Sequence, residues 1–173
     1  TIMAVGSQGG CARGYATSAS TITTTSAGTF CSGYATGGST LRAQGFGSVV
    51  LGAGFTGTIQ AQGIASFALA YNSGTAPTTT VGFGGAGSAV IVANSASTVT
   101  NNGSGTLLVG NVSSGGSLTS GFGANGSLAV GTASGGTISV ATTNAFQLGV
   151  GTNSIATSVQ VGTAGSNGIH AIG

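Results

Sequence analysis

From Gly115 to Gly151 the sequence divides into blocks of ten: GGSLTSGFGA (115–124), NGSLAVGTAS (125–134), GGTISVATTN (135–144) and AFQLGVGTNS, which runs on to 154. Each block holds one strand-like run and one turn-like run. Leu118, Phe122, Leu128, Val130, Ile138, Val140, Phe146, Leu148 and Val150 all carry even numbers, so in an extended chain they share one face. Because ten is even, that parity passes through every turn. Asn125-Gly126 and Gly135-Gly136 accept the positive φ angles of tight hairpins. The pattern predicts an antiparallel meander with one buried face.

Working outward, the composition sets strong limits. The chain has 173 residues, no Asp or Glu, and two fixed charges, Arg13 and Arg42; His170 is its single histidine. Glycine supplies 36 residues. A surface without ion pairs and with so little net charge has almost no electrostatic protection against self-association, so copies of the chain itself are the expected partners. With no carboxylates, little besides His170 titrates between about pH 2 and pH 8. That suits acidic surroundings outside a cell, and the predicted location is extracellular. The start at Thr1 fits a mature protein whose leader has been removed, although a chain boundary would look the same. Ala43 to Tyr71 is uncharged, but its glutamines, its glycines and the alternation of Ile59, Ala61, Ala65, Phe67, Leu69 and Tyr71 indicate strands and no membrane span.

At the N-terminus, Thr1, Ile2, Met3, Ala4 and Val5 form a short apolar strand before the flexible run Gly6-Ser7-Gln8-Gly9-Gly10. This segment is either an arm that pairs elsewhere or the first strand of the domain. Thr21 to Thr25 is β-branched, and Gly47–Leu51, Ser88–Ala93 and Thr106–Val109 are apolar on both faces, as in strands buried on two sides. No stretch has a helical period with caps. About a dozen candidate strands with turn signals roughly every ten residues predict an all-β fold: an antiparallel β-sandwich or jelly-roll-like head over 11–173, with an N-terminal strand arm and glycine hinge over 1–10. A β-solenoid competes, because a fixed period and glycine-rich corners also suit stacked coils. The block period fades upstream of Gly103, which favours the sandwich.

Chemistry is scarce. Without carboxylates and with one histidine, a Ser-His-Asp triad is impossible, calcium and magnesium lack their usual ligands, and no enzyme is expected. G-x-G-x-x-G occurs at Gly52-Gly54-Gly57, Gly82-Gly84-Gly87 and Gly121-Gly123-Gly126, with neither the following helix nor the acidic residue that a dinucleotide site needs. Two arginines cannot form a phosphate-binding stripe, so nucleic acid is excluded as a partner. Cys11 and Cys31 are the two cysteines; they read as a disulfide in an extracellular chain, with a pair of free buried thiols as the alternative. Asn102, Asn111 and Asn125 head N-x-S/T sequons on or beside expected turns, making N-linked glycans possible partners. No cofactor or metal is expected.

This layout of an apolar N-terminal strand on a glycine hinge, a cysteine pair, a charge-free β domain and sequons at turns resembles the subunits of archaeal extracellular filaments, of the thread and bundling-pilus type. The resemblance implies donor-strand complementation: Thr1 to Val5 of one subunit would complete the β-sandwich head of the next. It implies a structural subunit of a pilus or thread serving adhesion or cell-cell linkage. Strand addition would supply main-chain hydrogen bonds, and a head-to-tail contact that does not close gives a filament. Two other readings stand beside it. An ice- or carbohydrate-binding β protein requires regular T-x-T ladders in one register, and only Thr21, Thr23 and Thr25 show this. A viral capsid, spike or fibre jelly roll shares the filament's sequence features.

Overall fold

A computed structural model gives the fold, describing residues 1–5, 8–82, 86–94, 98–113, 117–120, 125–134, 137–140, 146–152, 155–161 and 169–171, with side chains up to 133. Among the described residues there are eighteen strands and no helix. Short strands β1 (Ile2–Ala4), β3 (Thr21–Thr24), β5 (Thr40–Ala43), β7 (Thr58–Ala61), β9 (Thr78–Val81), β11 (Thr98–Asn101), β13 (Ser117–Ser120) and β15 (Thr137–Val140) form one sheet in that order. Longer strands β2 (Cys11–Ala16), β4 (Phe30–Ala35), β6 (Val49–Gly54), β8 (Phe67–Asn72), β10 (Ala89–Asn94), β12 (Leu107–Val112), β14 (Leu128–Ser134) and β16 (Phe146–Thr152) form the other. Its far edge continues into β17 (Ile155–Val161) and β18 (Ile169–Ala171).

The expected antiparallel sandwich or jelly roll is not what forms. From β1 to β14 each strand pairs in parallel with the strand two places on in sequence, in register, as in Ile22 with Leu41, Leu41 with Ile59, and Leu108 with Ala129. The chain is a two-sheet β-solenoid of stacked coils. A ten-residue block of strand plus turn serves both architectures equally. In a meander the turn returns the chain beside its neighbour; here it carries the chain to the opposite sheet, and two blocks make one coil. Antiparallel pairing occurs, among the described residues, only at β16–β17 and β17–β18.

Corners make this path possible. At one corner column the residues are Gly28, Gly47, Ala65, Gly87, Gly105 and Gly126, every one with φ between 52 and 66°. That left-handed conformation costs an L-residue about 1 kcal/mol or more and glycine almost nothing. Each corner N–H donates to the carbonyl of the preceding coil: Gly47 to Ala27, Ala65 to Phe46, Gly105 to Ala86 and Gly126 to Ser104, at 2.8–3.1 Å. Of the expected hairpin dipeptides, Asn125-Gly126 sits at such a corner, and Gly135-Gly136 lies outside the described residues.

Between the sheets the core is thin and complementary. Ile22, Leu41, Ile59, Val99 and Leu118 project inward from the short sheet and are fully buried. The long sheet answers with smaller groups, among them Cys31, Ala35, Val50, Ala68, Ala70, Val90 and Ala129. At Gly33 an added Cβ would lie 1.9 Å from the Gly52 carbonyl oxygen and 2.8 Å from Leu41, so the inward leucine claims that space. Carboxamides brace the corners from inside. Asn101 Nδ2 donates to the Ala89 and Thr106 carbonyls (3.0 and 2.9 Å), and Asn72 Nδ2 to those of Thr58 and Pro77 (2.8 and 3.1 Å).

The predicted arm is the first rung of this stack. Ile2, Met3 and Ala4 pair in parallel with Ile22, Thr23 and Thr24 of the same chain, and the Val5 N–H donates to Thr24 O at 2.9 Å. Thr1 stands beside them, its amino group donating to Ser20 O at 2.6 Å.

Candidate functional faces

Strand alternation gives each sheet an inner and an outer face, and the two outer faces differ in chemistry. On the short sheet the outward positions are the first and third of each strand. The first is Thr21, Thr40, Thr58, Thr78, Thr98 and Ser117, joined strand to strand by the parallel register. The third is Thr23, Arg42, Gln60, Thr80, Thr100 and Thr119. The hydroxyls hold one another in line: Thr21 Oγ1 donates to Thr40 Oγ1 at 3.3 Å, and Gln60 Nε2 donates to Thr80 Oγ1 at 3.2 Å. The T-x-T reading found along Thr21, Thr23 and Thr25 thus extends across strands to Thr78-x-Thr80 and Thr98-x-Thr100.

The long sheet turns an apolar face outward. Runs expected to be buried on both sides, such as Ser88–Ala93, have one face in the core and one outside: Val90 and Val92 are buried, and Ile91 is 36% exposed. With Leu69, Tyr71 and Val109, Ile91 walls a shallow apolar depression of about 630 Å³. Along one margin runs an aromatic column. Tyr15 stacks on Tyr34 with centroids 5.5 Å apart, and Phe55 fills the gap over the small Ala53, 5.7 Å from Tyr34 and 5.5 Å from Tyr71. Arg13, at one end of this face, lies over the Phe30 ring at 5.1 Å.

The expected Cys11–Cys31 bridge is not formed. Both thiols are free, Cys11 exposed and Cys31 buried. Cys31 pairs in register with Ala12 and not with Cys11, so the two side chains leave adjacent strands toward opposite faces. Burial pushes the Cys31 thiol up to about 12, against smaller lowering by hydrogen bonds to the backbone of Thr23 and Ala43.

The sequon asparagines separate as well. Asn125 is exposed at a corner, where its Oδ1 accepts the Ser104 N–H at 3.0 Å. Asn102 is half-buried just past β11. Asn111, expected beside a turn, lies within β12 and is exposed on the outer side of the long sheet. Arg42 stands half-buried in the threonine face, and His170 falls in β18, where its side chain lies outside the described residues. Among the described residues no group of three or more His, Cys, Asp or Glu gathers to hold a metal, and no helix is long and apolar enough to cross a membrane.

Comparison with protein-family models, curated proteins and solved structures found no match to the chain.

Proposed function

We propose that this chain is an extracellular structural subunit that assembles with copies of itself, and that the outer face of its long sheet is the mating surface. The observation that carries this reading is the unbroken apolar face formed by Leu51, Leu69, Tyr71, Ile91 and Val109. The whole outer face, seven strands about 4.8 Å apart and six residues of about 3.3 Å, measures about 30 by 20 Å, so two copies mated over all of it bury about 1,100 Å² together, near the low end for specific interfaces. The apolar part over β6, β8, β10 and β12 lies at its centre. Two identical faces meet without charge repulsion, because Arg13 at one end is the face's sole fixed charge among the described residues. Flat sheets stack about 10 Å apart by interdigitating side chains. Rods joined laterally in this way suit adhesion or cell-cell linkage.

This assembly mode differs from donor-strand complementation, which needs a head lacking one strand; here both sheets run from rung to rung without a gap. A jelly-roll capsid reading goes with the antiparallel topology that the structure replaces. A glycan on Asn111 would stand on the mating face, so glycosylation there and lateral assembly exclude each other, whereas Asn125 lies clear of the face. Electron microscopy of the native material tests the reading. Paired or bundled rods are expected, and single rods at every concentration would contradict it.

A further inference from the structure

We propose that the outer face of the short sheet binds the surface of ice. Its two outward columns form a nearly rectangular grid, about 4.8 Å from strand to strand and about 6.7 Å between alternate residues of one strand. Those spacings are of the same order as the oxygen rows on a prism face of ordinary ice. The grid is cleanest over β9, β11 and β13, where Thr78, Thr98 and Ser117 supply the first column and Thr100 and Thr119 the second, whose next member, Thr80, is largely covered and bonded to Gln60. Arg42 and Gln60 interrupt the second column on β5 and β7, while the first column stays threonine from Thr21 to Thr98.

Three features favour a crystalline water surface as the ligand. Over β9, β11 and β13 each threonine offers a hydroxyl beside a methyl and no charged side chain stands in either column, so that part of the face holds ordered water without a strong local field; Arg42 lies two strands away on β5. Both columns are fixed to backbone in parallel register, and the hydroxyl line from Thr21 to Thr40 is preset, so little side-chain freedom is lost on contact. A periodic ligand meets every rung at once, which turns many weak contacts into tight attachment. A polysaccharide would want aromatic platforms, and neither column holds one; the rings of this chain lie on the opposite face. Copies mated through their long sheets would leave the threonine faces outward, so the two surfaces operate independently.

The test is growth of ice in the presence of the purified chain, read as thermal hysteresis, as crystal shape and as the fraction of protein entering slowly frozen ice. The wild-type chain should facet the crystals and partition into ice. Thr98→Tyr and Thr58→Tyr, each confirmed folded by far-ultraviolet circular dichroism, should lose more than half of the hysteresis. Ile91→Ser on the other face should keep it, whatever it does to assembly. Round, unfaceted crystals with the folded wild-type chain excluded from ice would overturn the proposal. So would full hysteresis in both tyrosine variants, or retention on crystalline cellulose or chitin without any effect on ice.

Discussion

Cys11 and Cys31 lie on neighbouring strands of one parallel sheet, yet Cys31 stands opposite Ala12, so one thiol faces solvent and the other the core. The segments CARGYAT and CSGYAT explain the offset: Gly14-Tyr15-Ala16-Thr17 aligns with Gly33-Tyr34-Ala35-Thr36, and the second segment is one residue shorter ahead of the glycine. A thiol reagent applied to the native protein should therefore add one label, at Cys11, and a second only after unfolding. Absence of label until a reductant is added would mean a disulfide instead.

Cys31 also sets an alkaline limit. Its folded-state pKa, about 12, lies above the ordinary 9.0, so folding favours the protonated thiol. That stabilisation is fully present below about pH 9 and is lost progressively as pH rises toward 12. With no Asp or Glu in the chain there is no side-chain carboxylate to protonate in acid, and denaturant midpoints should fall above about pH 9. Cys31→Ala should lessen that alkaline fall, and an unchanged fall would assign it to other groups.

Ala65 holds a corner position, φ 52°, that glycine holds at 47 and 87. Ala65→Gly should raise stability by about 1 kcal/mol, since glycine occupies the left-handed region without steric cost. Gly47→Ala should cost a similar amount, because the added Cβ meets nothing nearer than 4.0 Å and backbone strain acts alone. Gly52→Ala should cost about 3 kcal/mol or more, with its Cβ 1.9 Å from the Ala70 carbonyl oxygen. Urea midpoints in the order A65G, wild type, G47A, G52A would bear this out, and equal midpoints would refute the corner assignment.

Asn101 braces two corner carbonyls from inside the core. Asn101→Ala leaves the Ala89 and Thr106 carbonyls without that donor, at a cost of about 2 kcal/mol. Asn125→Ala, whose side chain accepts one exposed hydrogen bond, should cost well under half as much. Equal losses in urea titrations would show that the inner carboxamides are not bracing elements.

The period-two alternation of each strand could be read directly, but the single buried face expected for the even-numbered residues could not: Leu118 points inward from the short sheet, whereas Leu128 and Val130 turn outward from the long sheet and Ala129 between them is buried. Nor could the identity of each strand's partner, because Asn125-Gly126 permits a hairpin and a coil corner alike. The signal that separates them lay in recurrence at the length of a full coil. Gly-Tyr-Ala-Thr returns from 14–17 to 33–36, and threonine recurs at 21, 40, 58, 78 and 98. Both faces follow from that recurrence. Coil lengths that vary from one rung to the next break the even-number parity upstream of Gly103, which hid the solenoid there. Leu51, Leu69 and Ile91 look like core residues in sequence because a β-strand's apolar positions do not state which face meets solvent.

The most direct test of assembly through the long sheet is sedimentation velocity on the wild-type chain and on the Leu69→Asp, Ile91→Asp double variant. The wild type should sediment as a dimer or larger species at micromolar concentration, and the folded variant, with a carboxylate on each of two central rungs, as a monomer. A wild-type chain that stays monomeric throughout that range, or a folded variant that assembles as the wild type does, would contradict the account.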